Sequence, residues 1–442
     1  MPSSRPNVDH PGNKAFIQMI TSDPILFDVW EVHTEVHHRF KFKRPLIPDY
    51  DFDLLHSRSI RNLNVRLHDD KLAREDSTIL SVLGLTMYGE LMVRPPERTR
   101  WPSQGPLTNL NGIDTIGRLR SFKQHINGLD DLIRWRGGMQ NVKTPGIAPL
   151  LSVLDITEAT RVLGIPKFPH IPWNEDPAIF EMPQPPEGLP DPMPDIGRGF
   201  PEEWKQSDSR PLQDLFTTVR YMSGYSRLIF NHSEGIRLQS TGTLTDLRNS
   251  IQHRLLSLPA CPNAQGGNGI YHLYESTRLG AQIYSLLCVY PYPAGPAPFA
   301  EAASRLKREL SSLDPRTISY KESKLLLWIL TMGAIVTVGT LDRLWFIYAL
   351  GPVACRLQVE SWPDMKSLLL TFLWLSKTND IDGRDVWDEV SSSIFEHSGP
   401  VRFSSATPSV VSSHEMSIRT RSISSAEIEE RPGDDQPFST PS

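Results

Sequence analysis

The sequence predicts an all-α protein, and three observations support this fold class. Apolar residues recur every three or four positions in several long stretches, which is the spacing of one helix face. No stretch alternates apolar and polar residues as a half-buried strand does. Prolines and glycines separate the periodic stretches, where turns are expected. Hydrophobic residues make up only 39% of the 442 residues, so we expect part of the chain to lie outside any core.

The first helical pattern follows a polar N-terminus. Residues 1–13 contain few apolar side chains and are predicted to be disordered. Apolar residues then recur at helical spacing to about Met92. Asp76 or Ser77 is placed to act as the N-cap of the last helix in this stretch. Residues 94–111 contain four prolines, which predicts a loop.

The clearest helical signal ends at the pair Gly137-Gly138. Its apolar residues predict one continuous amphipathic helix: Ile113, Ile116, Leu119, Phe122, Ile126, Leu129 and Ile133. Because glycine readily adopts the left-handed conformation, the glycine pair suits the end of this helix. A further helix is predicted over residues 149–163, which completes a helical N-terminal part at residues 14–164.

A proline-rich segment interrupts the helical pattern at residues 165–201. Eleven prolines fall within it, and each removes an amide donor and fixes φ. The segment therefore predicts an extended linker, or a loop that runs over a surface, without helix or central strand. Residues 183–186, Pro-Gln-Pro-Pro, would also suit a ligand of a signalling domain, which is the less favoured interpretation.

Helical patterns return in residues 202–397, which are predicted to form a helical C-terminal part. Two helices have clear apolar faces: Leu212, Leu215, Phe216, Val219 and Met222 in the first, and Leu244, Leu247, Ile251, Leu255 and Leu258 in the second. A third helix is predicted over residues 270–289, and residues 325–357 supply two strongly apolar helices. Ser361 has the spacing of a capping box with Asp364 and begins a further helix, which is predicted to run through Leu368, Leu369, Phe372 and Leu373.

The composition changes in the tail, residues 398–442. This segment contains twelve serines and three threonines and few large apolar side chains. It is predicted to be disordered, because it can bury too little surface to offset its chain entropy. Ser422 and Ser424 each follow an arginine by three residues, as in substrates of basophilic kinases, although serine-rich tails show this spacing by chance.

Charge, cysteine content and hydropathy exclude several classes of protein. A net charge of −5 argues against a chain that holds nucleic acid by charge alone. Three cysteines, Cys261, Cys288 and Cys355, are too few for a disulfide framework or a cysteine zinc site, and indicate a reduced compartment. The most apolar stretch, Leu325–Thr340, is shorter than the roughly 20 residues that span a bilayer, so we expect a buried helix.

The search for catalytic or ligand-binding motifs yields no site. The sequence contains neither the nucleophile elbow G-x-S-x-G nor the phosphate loop G-x-x-x-x-G-K-[ST]. His33 and His37 would share a helix face, but the zinc-protease pattern requires Glu directly after the first His, and no third ligand is evident. A solvated helix face is favoured there. We therefore predict no enzyme and no catalytic, cofactor-binding or metal-binding residue.

Residues 39–44 alternate basic and aromatic side chains. This pattern is found in nuclear-import and nucleic-acid-binding patches. Aromatic residues that are buried between solvated cations give the same pattern, and this is the favoured interpretation, because four positive charges are a weak signal.

Several segments resemble one family when taken in their order along the chain. The most specific is residues 125–142, HINGLDDLIRWRGGMQNV, in which Arg136 and two glycines follow an amphipathic helix. The others are RNLNVRLHDDKLAREDSTILSVLGLTMYGE from Arg61, APLLSVLDITEATRVLGIPKFP at 148–169, IQHRLLSLP at 251–259, YHLYESTRLGAQIYSLLCVYPYP at 271–293, LLLWILTMGAIVTVGTLDRLWFIYAL, SWPDMKSLLLTFLW and DGRDVW at 382–387. Over roughly residues 50–390 the chain resembles the fungal-specific transcription factor domain, the helical regulatory region found downstream of a zinc binuclear-cluster module.

The chain departs from this family in its cysteines. The zinc binuclear cluster needs six cysteines in a short N-terminal stretch, and this chain has none before Cys261. The resemblance therefore implies a regulatory region without its own zinc cluster, and we expect no autonomous sequence-specific DNA binding. The chemistry of Arg136 favours a structural role, because its guanidinium is placed to bond carbonyls left unpaired at the helix end.

The predicted function follows from the resemblance and from the missing catalytic motifs. We expect a nuclear regulator of transcription that acts through protein or small-molecule contacts, without cofactor or membrane. Its expected partners are the transcriptional machinery or a separate DNA-binding subunit. The alternative is a helical interaction scaffold without a transcriptional role, located in the cytoplasm and dimerising through residues 325–375.

Overall fold

Helices account for the regular structure of this chain, as seen in a computed structural model. The structure describes residues 11–42, 50–87, 100–118, 121–174, 181, 188, 190–236, 239–260, 269–293, 296–313 and 318–397. No strand occurs within them, which confirms the predicted all-α fold class. The described α-helices are α1 (Pro11–Ser22), α2 (Pro24–Lys41), α3 (Tyr50–Leu67), α4 (Asp76–Met87), α5 (Ile113–Ile116), α6 (Lys123–Trp135), α7 (Ile147–Val162), α8 (Arg210–Ser233), α9 (Thr241–Ser257), α10 (Gly269–Tyr284), α11 (Pro296–Ser311), α12 (Tyr320–Val336), α13 (Asp342–Arg356), α14 (Trp362–Leu369) and α15 (Ser376–His397).

The first core, here called the N-terminal core, forms around α2 and α4. Helix α2 turns one apolar face inward, whereas α4 is buried on all sides over residues 78–86, and α1, α3 and α6 cover the two helices. Leu26, Val36 and Leu83 are fully buried in this core. Gly84 lets α2 and α4 approach closely, because a Cβ at this position would lie 2.7 Å from Cγ1 of Val29.

The second core, the C-terminal core, surrounds α12. This helix packs against α10, α11, α13, α14 and α15, and its residues 325–336 are all buried. Trp328 fixes its position: the indole Nε1 donates to the carbonyl of Leu373 at 2.9 Å, and the ring stacks on Phe372. The predicted buried helix is therefore confirmed. No described helix combines the length and the apolar character that a membrane span requires.

Helix α7 belongs to both cores. Ile147, Leu151 and Leu154 in its first half pack in the N-terminal core, whereas Ile156 lies in the C-terminal core. Since a helix is a rigid element over this length, α7 joins the two cores without a flexible connection.

The predicted continuous helix from Ile113 to Ile133 is wrong. The chain forms the short helix α5, leaves helical geometry after Gly117, and starts α6 only at Lys123. The cause is a long-range contact that periodicity does not report. A Cβ at Gly117 would lie 2.6 Å from Cδ of Pro293, so the chain turns against a distant proline instead of continuing the helix.

The described part of the proline-rich segment contains no helix between Leu163 and the 3₁₀ turn Glu202–Gln206, as the prolines predict. The segment does more than run over a surface, because Trp173, Ile196 and Phe200 are buried. The residues proposed as a signalling-domain ligand, 183–186, lie outside the described residues.

Two predicted boundaries differ from the structure or fall outside it. Helix α1 begins at Pro11, so residues 11–13, predicted to be disordered, form its first turn. The tail 398–442, with Ser422 and Ser424, lies outside the described residues. The remaining predicted helices appear as α7 to α10 and α12 to α14. The predicted continuation of the last one to Leu373 is wrong: α14 ends at Leu369, and the carbonyl of Leu373 instead accepts from the Trp328 indole.

Candidate functional site

A cavity of about 290 Å³ lies where the N-terminal core meets the segment around α5, the middle of α7 and the proline-rich segment. We call it the seam cavity. Its walls come from α1, α2 and α4 on one side and from residues 111–116, α7 and Trp173 on the other. The lining residues are Asn13, Phe16, Trp30, His33, His37, Leu80, Leu83, Gly84, Asn111, Gly112, Thr115, Ile116, Leu150, Val153 and Trp173.

Aromatic and aliphatic side chains dominate the lining. Phe16 meets Trp30 edge to face with ring centroids 4.6 Å apart, and His33 stacks on Trp30 at 4.1 Å. Trp173 completes the aromatic part of the wall. None of the lining residues is Asp, Glu, Lys or Arg. Small-molecule sites typically combine such apolar walls with a few polar groups that orient the ligand.

His33, one of the two histidines that line the seam cavity, is uncharged at neutral pH. Burial lowers the pKa of His33 to about 3, and the neighbouring His37 adds a smaller effect in the same direction. His33 therefore contributes a polar ring without a charge to the wall of the seam cavity. No Asp, Glu, Lys or Arg side chain lines the seam cavity to pair with a buried ionic group, so the seam cavity suits a neutral ligand.

One edge of the seam cavity is held by a buried carboxylate on α9. Asp246 is fully buried, and its Oδ1 accepts a hydrogen bond from the Trp173 amide at 2.8 Å. Its Oδ2 accepts from the amide and the side-chain Nδ2 of Asn174, at 3.2 and 2.8 Å. These three bonds fix the proline-rich segment at the point where Trp173 enters the wall.

The opposite edge is held by a buried arginine two residues further along α9. Arg248 is 1% exposed, and its Nη1 donates to the carbonyl of Leu110 at 2.7 Å, directly before the lining residue Asn111. Its guanidinium also lies over the Tyr290 ring at 4.9 Å. The Tyr290 hydroxyl bonds Thr157 of α7 at 2.8 Å. Helix α9 thus connects the C-terminal core to both edges of the seam cavity.

His33 and His37, weighed as metal ligands in the sequence, both line the seam cavity. The expectation of a solvated helix face holds for His37, which is exposed, and only in part for His33, which is half-buried beside the seam cavity. Within the described residues, no group of three or more His, Cys, Asp or Glu side chains is placed to hold a metal ion.

Arg136 takes the structural position that the sequence predicts. Its Nε donates to the carbonyl of Asn141 at 2.8 Å, and its Nη1 donates to the carbonyl of Arg74. Its Nη2 lies 2.5 Å from a carboxylate oxygen of Asp76. The following residues, Gly137 and Gly138, have φ of +87° and +105°, which explains why glycine is needed there.

Asp76 does not cap its own helix as predicted. It is the first residue of α4, and its carboxylate accepts from the Thr144 amide and hydroxyl at 2.8 and 2.7 Å. Together with Arg136 it fastens the loop before α7 to the start of α4.

The basic and aromatic pattern at residues 39–44 is described only in part. Arg39 pairs with Glu35 at 2.6 Å and lies over the Phe52 ring at 5.4 Å. Phe42 is 59% exposed, which contradicts the expectation that the aromatic residues are buried. Lys43 and Arg44 lie outside the described residues.

Sequence reasoning missed both α9 residues that hold the seam cavity. For Arg248 a signal exists: it lies four residues after Leu244 and three before Ile251, within the stripe predicted to be buried. Asp246 lies on another face of α9, which is buried almost all round, so periodicity carries no signal for it.

No protein-family model, curated protein or solved structure matches this chain.

Proposed function

We propose that this chain is a regulatory protein of the fungal transcription factor type, which acts through small-molecule and protein contacts and lacks its own zinc cluster. The observation that supports this most is the seam cavity: an aromatic cavity without Asp, Glu, Lys or Arg in its lining, whose two edges are anchored on one helix of the C-terminal core. The ordered segments that resemble the fungal regulatory domain supply the transcriptional part of the proposal.

The proposed mechanism is a shift in stability and geometry, not catalysis. A neutral, partly aromatic ligand would stack in the seam cavity and hold Trp173 and Asn111 in place. A ligand that binds only this arrangement stabilises it by about 2.7 kcal/mol at one hundred times its dissociation constant. Since Asp246 and Arg248 bond the same edges, the effect reaches α9 and the C-terminal core.

We further propose that DNA contact comes from a partner. With three cysteines, the chain cannot itself supply the six thiolates of a zinc binuclear cluster. The proposed partners are a separate DNA-binding subunit or the transcriptional machinery, and the proposed location is the nucleus.

A matched pair of probes tests the seam cavity. N-phenyl-1-naphthylamine is a neutral, fluorescent arylamine, and 8-anilinonaphthalene-1-sulfonate carries the same rings with a sulfonate. We expect the neutral probe to bind the full chain saturably, and at least about tenfold more tightly than the anionic one, because an unpaired buried charge is unfavourable. Equal affinities, or no saturable binding, would contradict the proposal.

A matched pair of variants locates the probe. Val153 lines the seam cavity, and Val162 lies on the same helix with 59% of its surface exposed. Val153→Phe should fill the space and weaken probe binding at least about tenfold, whereas Val162→Phe should leave it unchanged. Circular dichroism must report equal helicity for both variants. Equal binding by both would place the probe elsewhere.

A reporter assay tests the transcriptional part. The full chain is fused to an unrelated DNA-binding domain in a yeast strain that carries the matching reporter gene. We expect reporter expression to differ from that of the DNA-binding domain alone, and Val153→Phe to alter the difference. A fusion without effect on the reporter supports the alternative of an interaction scaffold.

A further inference from the structure

One face of α13 carries a row of exposed apolar side chains. Leu341, directly before the helix, is 91% exposed, and Leu344 and Tyr348 are each 57% exposed. Pro352 and Cys355 continue the row and are exposed, and Trp345 at its side is half-buried. We call these six residues the α13 stripe. The opposite side of α13, with Phe346 and Leu350, packs in the C-terminal core.

The spacing makes the α13 stripe one continuous surface. Its residues are three, one, three, four and three positions apart, so at 100° per residue they fall within about 100° of the helix circumference. None of the six is charged. Contiguous apolar patches of this kind on a protein surface commonly mark a site of protein association.

We propose that the α13 stripe binds the α13 stripe of a second copy of this chain, with the two helices antiparallel. Tyr348 then lies at the two-fold axis, because it is midway between Leu341 and Cys355. Leu341 of each copy faces Cys355 of the other, and Leu344 faces Pro352.

The charges that flank the α13 stripe favour this orientation. Asp342 at the beginning of the helix and Arg356 at its end lie on the same flank. In an antiparallel two-fold pair, that flank of one helix faces the same flank of the other, so Arg356 of each copy approaches Asp342 of the other. Asp342 also pairs with Lys307 of its own copy at 2.6 Å, so the contact adds a second cation to an existing pair. A parallel pair would bring opposite flanks together, so neither Asp342 nor Arg356 would meet the other across the pair. The antiparallel pair also places the positive N-terminal end of each helix dipole beside the negative C-terminal end of the other.

The area is adequate for a dimer of moderate affinity. Leu341, Leu344 and Tyr348 alone would bury on the order of 400 Å² per copy, about half of the 800 Å² per partner found in standard interfaces. Pro352, Cys355 and the open side of Trp345 extend the patch. We therefore expect dissociation in the micromolar range.

Sedimentation of the full chain tests the dimer. We expect a concentration-dependent shift from 50.0 kDa to twice this mass between about 1 and 100 µM. Leu344→Glu should weaken association at least about 100-fold, because it places two like charges in an apolar interface. The control is Leu54→Glu on α3, since Leu54 is 55% exposed and lies outside the α13 stripe. A monomer at 100 µM, or equal effects of the two variants, would overturn the proposal.

Cysteine crosslinking tests the orientation in a Cys261→Ser background. Cys288 is fully buried, and burial raises the pKa of its thiol to about 12, so it reacts poorly. With Cys355 alone, an antiparallel pair keeps the two thiols far apart, and we expect no oxidised dimer. Adding Leu341→Cys should produce a disulfide-linked dimer that Cys355→Ser abolishes. A dimer through Cys355 alone would indicate a parallel pair and overturn the proposed geometry.

Discussion

Arg136→Ala is the most direct test of how the N-terminal core is fastened. The guanidinium makes three contacts with separate parts of the chain: the carbonyls of Arg74 and Asn141 and the carboxylate of Asp76. Its side chain is only 16% exposed. Removing it should therefore loosen the junction between the start of α4, the end of α6 and the loop that leads to α7.

The expected decrease in the free energy of unfolding follows from these contacts. A hydrogen bond from a charged donor contributes about 1.5–3 kcal/mol when buried, and we take about 1 kcal/mol for each of these partly solvated ones, which gives about 3 kcal/mol in total. For a folded unit of this size, unfolding entropy is roughly 0.7 kcal/mol/K, so the melting temperature should fall by about 4 °C.

The same helix end provides a control. Arg134 is 69% exposed and pairs with Asp130 at 2.6 Å in the i, i+4 arrangement. Since exposed pairs of this kind contribute about 0.5 kcal/mol or less, Arg134→Ala should melt close to the unmodified chain. Arg136→Lys keeps the charge but cannot reach all three partners, so the free energy of unfolding should fall by about 2 kcal/mol.

Differential scanning calorimetry and chemical unfolding measure these differences. A structural role of Arg136 is contradicted if Arg136→Ala melts within about 1 °C of the unmodified chain, or no lower than Arg134→Ala. It is also refuted if Arg136→Ala keeps its full stability and loses binding of a partner or of the neutral probe. That result would assign Arg136 to recognition instead of folding.

Two further predictions concern pH and glycine. Burial lowers the pKa of His33 to about 3 and that of His170 to about 4, from an ordinary value of 6.5. The unfolded chain therefore binds more protons, and the free energy of unfolding should fall below pH 6.5 by up to about 1.4 kcal/mol per pH unit for each histidine. His33→Gln should flatten this slope in urea unfolding at pH 7, 6 and 5, and an unchanged slope would contradict the assignment. Gly117→Ala should destabilise by about 1–3 kcal/mol, because its Cβ would meet Pro293. Gly128→Ala in α6, where a Cβ meets nothing within 4 Å, should instead stabilise by about 0.5–1 kcal/mol. Thermal unfolding that ranks the two variants in the opposite order would refute this.

The helices could be predicted where local periodicity determines burial. The residues predicted to line the first helix after the proline-rich segment, such as Leu215 and Val219, are fully buried in α8. The same reasoning fails at Gly117, where contact with the distant Pro293 ends α5. Periodicity reports which side of a segment is apolar. It does not report which distant residue will lie against that side.

The candidate site could be predicted only in fragments. The four-residue spacing of His33 and His37 indicates that they share a helix face, and both line the seam cavity. Whether that face is solvated depends on residues 111–116 and Trp173, which arrive from elsewhere in the chain. Tertiary contact therefore turns a candidate metal-binding pair into one side of a largely apolar cavity.

The two buried charges on α9 explain how such a cavity can stay open in a helical core. Burying Asp246 and Arg248 costs solvation energy, which apolar residues of similar size would avoid. Apolar residues, however, have no directional preference, and the surrounding segments could relax into the space. Asp246 instead holds the Trp173 amide, and Arg248 holds the Leu110 carbonyl, each at a defined position. These directional bonds hold each cavity edge at a defined position relative to α9, so under the proposed function a ligand that moves either edge would strain its bond to α9.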